Sequence, residues 1–356
     1  MKDTKKARVV RALKSMVLSA PGGVSRQEAA DALAIDLRTA AAYLEQLTAA
    51  GLFRRENAFS GRKGRPGACY SSNADALCFL GLSVTQNLAV SAAVIDSAGN
   101  MLTQEACVLP EPASRLSVFS AIRDFANRFR EFRDKRLYGI GLAISRWLQP
   151  PLSGEDTYAN LSDYLARETG VAVHRDVNIN CVAYACSVKL REPDLAVIHP
   201  GLVLEFGLVR NGEPERDFTP REAWLSHLCV NPRGRQCYCG KYGCLENYVT
   251  RGALNERLKP PISPAVVQSL GEMLALALRR LARKYEVGTM LLLGVDEISA
   301  EVLRAYRHNS GEPAMPRLLL HGFQPQVSYG AALEAAHFEL HRFTRHNPID
   351  PFYIKE

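Results

Sequence analysis

His227-Leu-Cys-Val-Asn-Pro-Arg-Gly-Arg-Gln-Cys237-Tyr-Cys239-Gly-Lys-Tyr-Gly-Cys244-Leu-Glu246 gathers one imidazole and three in-pattern thiols, those of His227, Cys237, Cys239 and Cys244, into 18 residues. Gly240 and Gly243 let the backbone turn tightly around a centre. One nitrogen with three soft sulfurs is the donor set tetrahedral zinc prefers, and Cys3His is a structural combination. The pattern holds no fifth strong donor and no open position, so the expected Zn2+ is structural rather than catalytic. A disulfide is the alternative. Cys237 and Cys239 are too close in sequence to pair comfortably, and nothing else in the chain points to an oxidising compartment. Cys229 falls off the pattern and reads as a buried thiol.

The chain has 356 residues, enough for two or three units with their own cores. Its start, Met1-Lys-Asp-Thr-Lys-Lys6, lacks the apolar stretch of a signal peptide, and runs such as Met290-Leu-Leu-Leu-Gly294 are too short to span a bilayer. With Cys78, Cys107, Cys181 and Cys186 isolated in apolar contexts, the expected compartment is the reducing cytoplasm, with no membrane partner. Charge is uneven. Residues 1–70 carry 13 Lys and Arg against 6 Asp and Glu, whereas the rest balances 31 against 31. A basic module that binds a polyanion, joined to a neutral body, is implied.

Within that module Val10, Leu13 and Val17 fall at helical spacing, with Val9 and Met16 alongside and Pro21-Gly22-Gly23 as the stop. Ser25-Arg-Gln-Glu28 is a capping box for a helix bearing Ala29, Ala30 and Leu33. Asp36 is placed to cap a third helix, with Ala40, Leu44 and Leu47 inward and Gly51 closing it. This is a helix-turn-helix pattern. Residues 52–55 and 68–71 read as short strands around the basic loop Gly61-Arg-Lys-Gly-Arg-Pro-Gly67, so residues 1–70 are expected to form a winged helix-turn-helix that binds double-stranded DNA. Ser25, Arg38, Thr39 and Tyr43 on the helices, with Arg54 on the first strand, are candidate contacts. Arg38 and Thr39 stand at the helix end that enters a major groove. Arg62, Lys63 and Arg65 suit a minor groove or phosphates.

Residues 71–356 change character. Apolar strand-like runs at 78–84, 88–95, 137–144, 171–175, 195–210 and 290–294 alternate with helical patterns at 117–134, 157–169, 179–189, 264–285 and 330–343.

The segment from His227 through Cys237-x-Cys-Gly-x-x-Gly-Cys-x-Glu246 resembles the signature of the ROK family, which holds sugar kinases, open reading frames and transcriptional repressors. Shorter similarities extend over most of residues 78–340, and Gly64-Arg65-Pro66 looks like the segment that follows the DNA-binding domain of ROK repressors. The resemblance implies a two-lobed α/β body of the actin-like, sugar-kinase type, with the zinc segment at 227–246. Kinases of this family bind nucleotide through Asp-x-Gly-Gly-Thr, but here the equivalent is Ser83-Val-Thr-Gln-Asn87. The second phosphate turn is replaced by Gly201-Leu-Val-Leu-Glu205-Phe206, which puts a carboxylate and a ring on the phosphate approach. The late Gly-Gly reads Gly294-Val295. Phosphoryl transfer rests on positioning, so these losses argue against ATP use.

The family's sugar site is partly kept. Asp176 of Arg175-Asp-Val-Asn178 matches the kinase base, Trp224 replaces a sugar-binding Glu, and His227 and Glu246 remain. These four are candidate ligand contacts, although Asp176 serves equally well as a cap for the helix beginning near Asn178. Three readings follow. The preferred one is a non-enzymatic DNA-binding regulator, a repressor, whose body forms a homodimer or homotetramer and senses a sugar or other small molecule. The others are a sugar kinase with a basic extension, and a DNA-binding protein whose body is an oligomeric scaffold.

Overall fold

A computed structural model describes residues 9–10, 12–13, 16–17, 20, 22–49, 51–57, 68–73, 76–85, 89–97, 99–109, 115–145, 157–215, 225–308, 317–321 and 327–341. The chain divides into two compact units. The first takes in Met1–Leu142, Trp147–Arg175 and Ala331–Glu356, and the second Ala143–Arg146 and Asp176–Gly330.

The first unit begins with a small head. Val9, Leu13 and Val17 lie on helical backbone and are buried, with Val10 and Met16 packed alongside. Then come β1 (Val24–Ser25), α1 (Arg26–Ala32), α2 (Leu37–Ala49), β2 (Phe53–Asn57) and β3 (Ala68–Ser72). The capping box forms as spaced: Ser25 Oγ accepts from Glu28 N at 3.1 Å, and Glu28 Oε2 accepts from Ser25 N at 2.8 Å. Asp36 caps α2 by accepting from Thr39 N at 2.8 Å. Ala29, Ala30, Leu33, Ala40, Leu44 and Leu47 share one core, where the small side chains let α1 and α2 approach. β2 and β3 form an antiparallel hairpin with β1 on the far side of β3, in the order β1-β3-β2.

Fully buried Tyr70 ties the head together. Its hydroxyl donates to Glu45 Oε1 at 2.6 Å and accepts from Arg26 Nε at 2.8 Å, while Arg26 Nη2 reaches the same Glu45 oxygen at 2.7 Å. The boundary expected at residue 70 falls inside β3. The head core continues onto Leu77 and Tyr138, so the head shares its packing with the sheet that follows.

That sheet contains β4 (Leu77–Val84), β5 (Val90–Asp96), β6 (Met101–Cys107), β7 (Glu131–Phe132), β8 (Lys135–Ile144) and β9 (Ala172–Val177). Its order is β6-β5-β4-β8-β7, with β9 also on β8, and α3 (Arg115–Arg128) and α4 (Thr157–Thr169) accompany it. The helix expected over 117–134 stops at Arg128. Arg133 and Asp134 take φ of 50° and 62°, two left-handed residues in succession that suit a tight hairpin turn between β7 and β8.

The second unit holds α5 (Asn178–Leu190), β10 (Leu195–Pro200), β11 (Leu204–Arg210), β12 (Glu213–Pro214), α6 (Glu246–Val249), α7 (Arg251–Arg257), α8 (Pro264–Tyr285), β13 (Thr289–Leu293), α9 (Ser299–His308) and β14 (Arg317–His321). In the order β12-β11-β10-β13-β14, β10, β13 and β14 run parallel, whereas β11 and β12 are antiparallel. Alternation divides the strands between two layers. Val197, Val209, Leu291 and Leu293 pack with α5, while Ala196, Ile198, Leu208, Met290 and Leu292 pack with α8 and α9. The result is the mixed α/β body expected from the sequence. The last helix among the described residues, α10 (Val327–Ala336), passes from the second unit to the first at Ala331, begins three residues earlier than expected and continues as π-helical backbone over His337–His341. Among the described residues no helix is long and apolar enough to cross a membrane.

Candidate functional site

The segment after residue 225 wraps into a closed loop on the second unit. Ser226 Oγ donates to Leu204 O at 3.2 Å, which fixes His227 beside β11. Leu245 N donates to Leu228 O and Val230 N to Gly243 O, both at 2.8 Å, so the two arms of the loop run antiparallel. Between them Cys237 N donates to Lys241 O at 2.7 Å and Gly240 N to Cys237 O at 2.9 Å, a tight knuckle that carries Cys237 and Cys239. Gly240 and Gly243 have φ of +85° and +67°, and a Cβ on Gly243 would run into the Asn231 carbonyl. Both positions require glycine. Arg235 clamps the loop to α7 through a two-pronged pair with Glu256, 3.1 Å on each arm.

The loop brings the four expected donors together. The ligand atoms of His227, Cys237, Cys239 and Cys244 all lie within 4.8 Å of one another. Cys237 Sγ is 3.5 Å from His227 Nδ1, and Cys239 Sγ is 3.6 Å from Cys244 Sγ. Tetrahedral zinc with ordinary bond lengths would set sulfur–nitrogen and sulfur–sulfur separations of about 3.6 and 3.8 Å. Burial raises the thiol pKa of Cys237, and burial with the neighbouring thiols pushes that of Cys244 up to about 12, while the Lys241 N–H pulls that of Cys239 down. A dication is the partner that lets three such sulfurs ionise together. The residues present fit the metal.

Cys229 differs from expectation: it is exposed, not buried. Its neighbours Leu228 and Val230 pack on the core and leave Cys229 on the other face of the arm. Tyr238, unremarked in the sequence, bridges the centre to Glu246. Its hydroxyl donates to Glu246 Oε2 at 3.0 Å and its ring meets His227 edge-on at 5.1 Å. Glu246 is buried, with Oε2 4.0 Å from His227 Nδ1. Asp176 is also buried and accepts at Oδ1 from Val177 N at 2.6 Å and Asn180 Nδ2 at 2.7 Å. The N-cap of α5 is Val177, so Asp176 braces the approach to the helix through the Asn180 side chain and does not, as the capping alternative expected, cap a backbone N–H of its first turn. Trp224 lies outside the described residues.

The turns that hold phosphate in family kinases are tied up internally. In the first unit, Ser83 is buried with its hydroxyl 2.7 Å from that of Ser91, and Thr85 N donates to Ala89 O at 3.0 Å. In the second, the ends of parallel strands β10 and β13 are where open α/β sheets bind ligands. There His199 Nδ1 stands 3.2 Å from Glu205 Oε2, Arg251 N donates to Gly201 O at 2.8 Å and Arg251 Nη2 to Gly294 O at 2.6 Å, and Arg251 Nη1 pairs with Glu297 at 2.8 Å. Phe206 does not obstruct this place. It points to the opposite face of β11, into the core, with its ring 5.0 Å from that of Tyr285. Glu205 remains at the site.

On the head, Arg38 is exposed at the start of α2, and Tyr43 is half-buried against the core. The Thr39 hydroxyl donates to Asp36 Oδ2 at 2.6 Å, so in this form it belongs to the cap. Both polar groups of Ser25 are taken by the capping box. Arg54 projects from β2, 3.9 Å from Glu56. Arg62, Lys63 and Arg65 lie outside the described residues.

The sequence profile of the ROK family matches residues 87–285. A solved ROK family transcriptional regulator, described as a homologue of the E. coli MLC protein, aligns over 95% of this chain and 98% of its own at TM-score 0.72 and 18% identity. The ROK hexokinase of Thermus thermophilus aligns over 73% of this chain and 98% of its own, at TM-score 0.62 and 22% identity. The ROK glucokinase of Streptomyces griseus, solved with glucose and AMPPNP, aligns over 72% and 99%, at TM-score 0.55 and 17% identity. Among curated proteins, the uncharacterized protein YphH of Escherichia coli (strain K12) is 26% identical over 155 residues, spanning 40% of this chain and 38% of that relative's length. With the profile covering more than half of its length and the zinc-type segment inside that span, this chain belongs to the ROK family.

Proposed function

We propose that the protein is a DNA-binding transcriptional regulator of the ROK family, a repressor, and that it does not phosphorylate sugars. The observation that carries this reading is the head. Two helices joined by a short turn and followed by a β-hairpin lie at the N-terminal end of the chain, where residues 1–70 hold all of its excess positive charge, with Arg38 exposed at the start of the second helix. That order of elements is a winged helix-turn-helix, and its second helix is the one such modules place in the major groove. Further support is that the regulator's alignment takes in 95% of this chain, against 73% and 72% for the two kinases. The kinase reading is disfavoured by Glu205, His199 and Arg251 at the strand ends, which put a carboxylate and internal ion pairs where backbone amides should meet phosphate.

In this reading His227, Cys237, Cys239 and Cys244 hold a structural Zn2+, which supplies the charge that keeps three thiolates together. The closed loop then holds Tyr238 on Glu246 and keeps that carboxylate in place for a polyol or other small effector, with Asp176 and Trp224 as further candidate contacts. The protein acts in the cytoplasm as a homodimer or homotetramer on double-stranded DNA. An effector changes DNA binding only through different affinity for the DNA-competent and DNA-incompetent states.

The test is binding of the purified full-length chain to fragmented genomic DNA, with sequencing of what is retained. Enrichment of a few sites, with affinity falling steeply as salt rises, is expected. Uniform retention of all fragments, or none, would defeat the regulator reading.

A further inference from the structure

Cys229 stands outside the four-donor set, yet it faces one of the donors. It is the register partner of Cys244 in an isolated antiparallel bridge. The flanking bonds run from Val230 N to Gly243 O and from Leu245 N to Leu228 O, both 2.8 Å. This pattern makes Cys229 and Cys244 a non-hydrogen-bonded pair, the kind whose Cα atoms approach to about 4.5 Å with their side chains on one face. A disulfide asks for Cα separations of roughly 4.4–6.8 Å. Leu228, Val230 and Leu245 turn into the core, which leaves the two sulfur-bearing side chains together on the opposite face. Cys229 is exposed and Cys244 is buried, so one thiol is open to a small reagent and the other is positioned to resolve it.

We propose that Cys229 and Cys244 form a reversible disulfide on exposure to hydrogen peroxide, and that this withdraws Cys244 from the metal. In the first step the Cys229 sulfur attacks the peroxide. An S–O bond forms, the O–O bond breaks, and one water leaves with the thiol proton, giving a sulfenic acid. In the second step the Cys244 sulfur attacks that of Cys229. The S–S bond forms, the S–O bond breaks, and hydroxide leaves, taking a proton from solvent to become a second water, because the metal-bound Cys244 is a thiolate. The two sulfurs lose two electrons between them and one hydrogen peroxide becomes two waters. A sulfur in a disulfide is no longer a thiolate donor, so the site drops to two sulfurs and one imidazole and its grip on the metal fails. Release also frees the knuckle that holds Tyr238 on Glu246. The disulfide stands on the register alone, whereas metal release rests on the zinc reading above.

The experiment treats zinc-reconstituted full-length protein with hydrogen peroxide. Freed metal is followed with the chromophore 4-(2-pyridylazo)resorcinol, and cross-linked peptides are mapped by mass spectrometry. The expected product joins the Cys229 and Cys244 peptides with the loss of two hydrogens, accompanied by release of the bound metal and reversed by dithiothreitol with added zinc. Cys229→Ser should bind metal normally when reduced and release it at least about tenfold more slowly under peroxide, because the exposed thiol that reacts first is gone. Mapping to Cys239 with Cys244, or equal release rates in the two proteins, overturns the proposal. If the protein takes up no zinc, the zinc reading fails, and the peptide map alone decides whether the disulfide forms.

Discussion

Arg251 reaches across the strand ends of the second unit to Gly294, donating from Nη2 to its carbonyl at 2.6 Å while Nη1 pairs with Glu297 at 2.8 Å. Gly294 has φ of +67°, and beside it stand His199 and its partner Glu205. A nucleotide phosphate seated here would face the Glu205 carboxylate and would have to displace an arginine from two partners at once. We therefore expect no ATP-dependent phosphorylation of hexoses or amino sugars in a coupled assay. Turnover on the order of 1 per second, an ordinary kinase rate, would overturn the non-enzymatic reading.

Metal removal should destabilise the second unit. About one equivalent of zinc per chain is expected by elemental analysis, as for four-ligand structural sites. Cys239→Ala should lose the metal and lower the melting temperature, because binding at such sites is coupled to folding. Metal-free protein with an unchanged melting curve would remove zinc from the account.

The head has its own test, in Tyr70. This ring is fully buried, and its hydroxyl donates to Glu45 and accepts from Arg26. Tyr70→Phe should cost about 1.5–3 kcal/mol by denaturant unfolding, the range for a hydrogen bond to a charged group. The Tyr70 hydroxyl, then Arg26 and Arg55, hold the Glu45 carboxyl below its ordinary value. A depressed carboxylate adds stability that is fully present above its unfolded pKa, about 4.3, and lost as pH falls through the lower folded one. Head stability should therefore decline on acidification below about pH 4. Glu45→Gln should flatten that part of the profile, and an unchanged profile would exclude Glu45 as its source.

DNA contacts should separate into two kinds. Arg38→Ala should relax preference at one base pair, at a cost of about 1–3 kcal/mol. Removing the charge of Arg62 or Lys63 should weaken all sequences alike and reduce the slope of log affinity against log salt by about 1 per phosphate contact. A binding curve insensitive to salt would make the head a protein-interaction surface instead.

Effector sensing can be probed at Asp176. Asp176→Asn retains an acceptor for Val177 N and Asn180, so the expected result is intact DNA binding with the inducer response lost. Thermal-shift screening against sugars, sugar phosphates and polyols identifies the ligand. If no compound raises the melting temperature while Trp224→Glu creates binding, the body is a scaffold.

Much was legible in the sequence where cause and effect sit close along the chain. The capping box at Ser25 and Glu28, the Asp36 cap, and helices 157–169 and 264–285 depend on hydrogen bonds and apolar periods within a few residues. The helical pattern that the side chains alone would have continued to 134 stops at Arg128, and the left-handed pair Arg133 and Asp134 instead turns the chain between β7 and β8.

The amino-acid sequence by itself determined the four-donor cluster, because His227, Cys237, Cys239 and Cys244 lie within one loop and Gly240 and Gly243 leave the backbone few ways to close it. It also determined the basic head, whose charge is concentrated in one stretch. Tertiary structure alone decided what lies far apart in the chain. Arg251 meets Gly294, Arg26 and Glu45 meet on Tyr70, and Phe206 turns inward while Glu205 stays at the strand end. It likewise brought Cys229 out to solvent opposite Cys244. Each of these follows from strand register and from which face of an element meets the core. A shift of one residue in register exchanges the two faces of a strand, so spacing along a single strand does not say which side chain is buried.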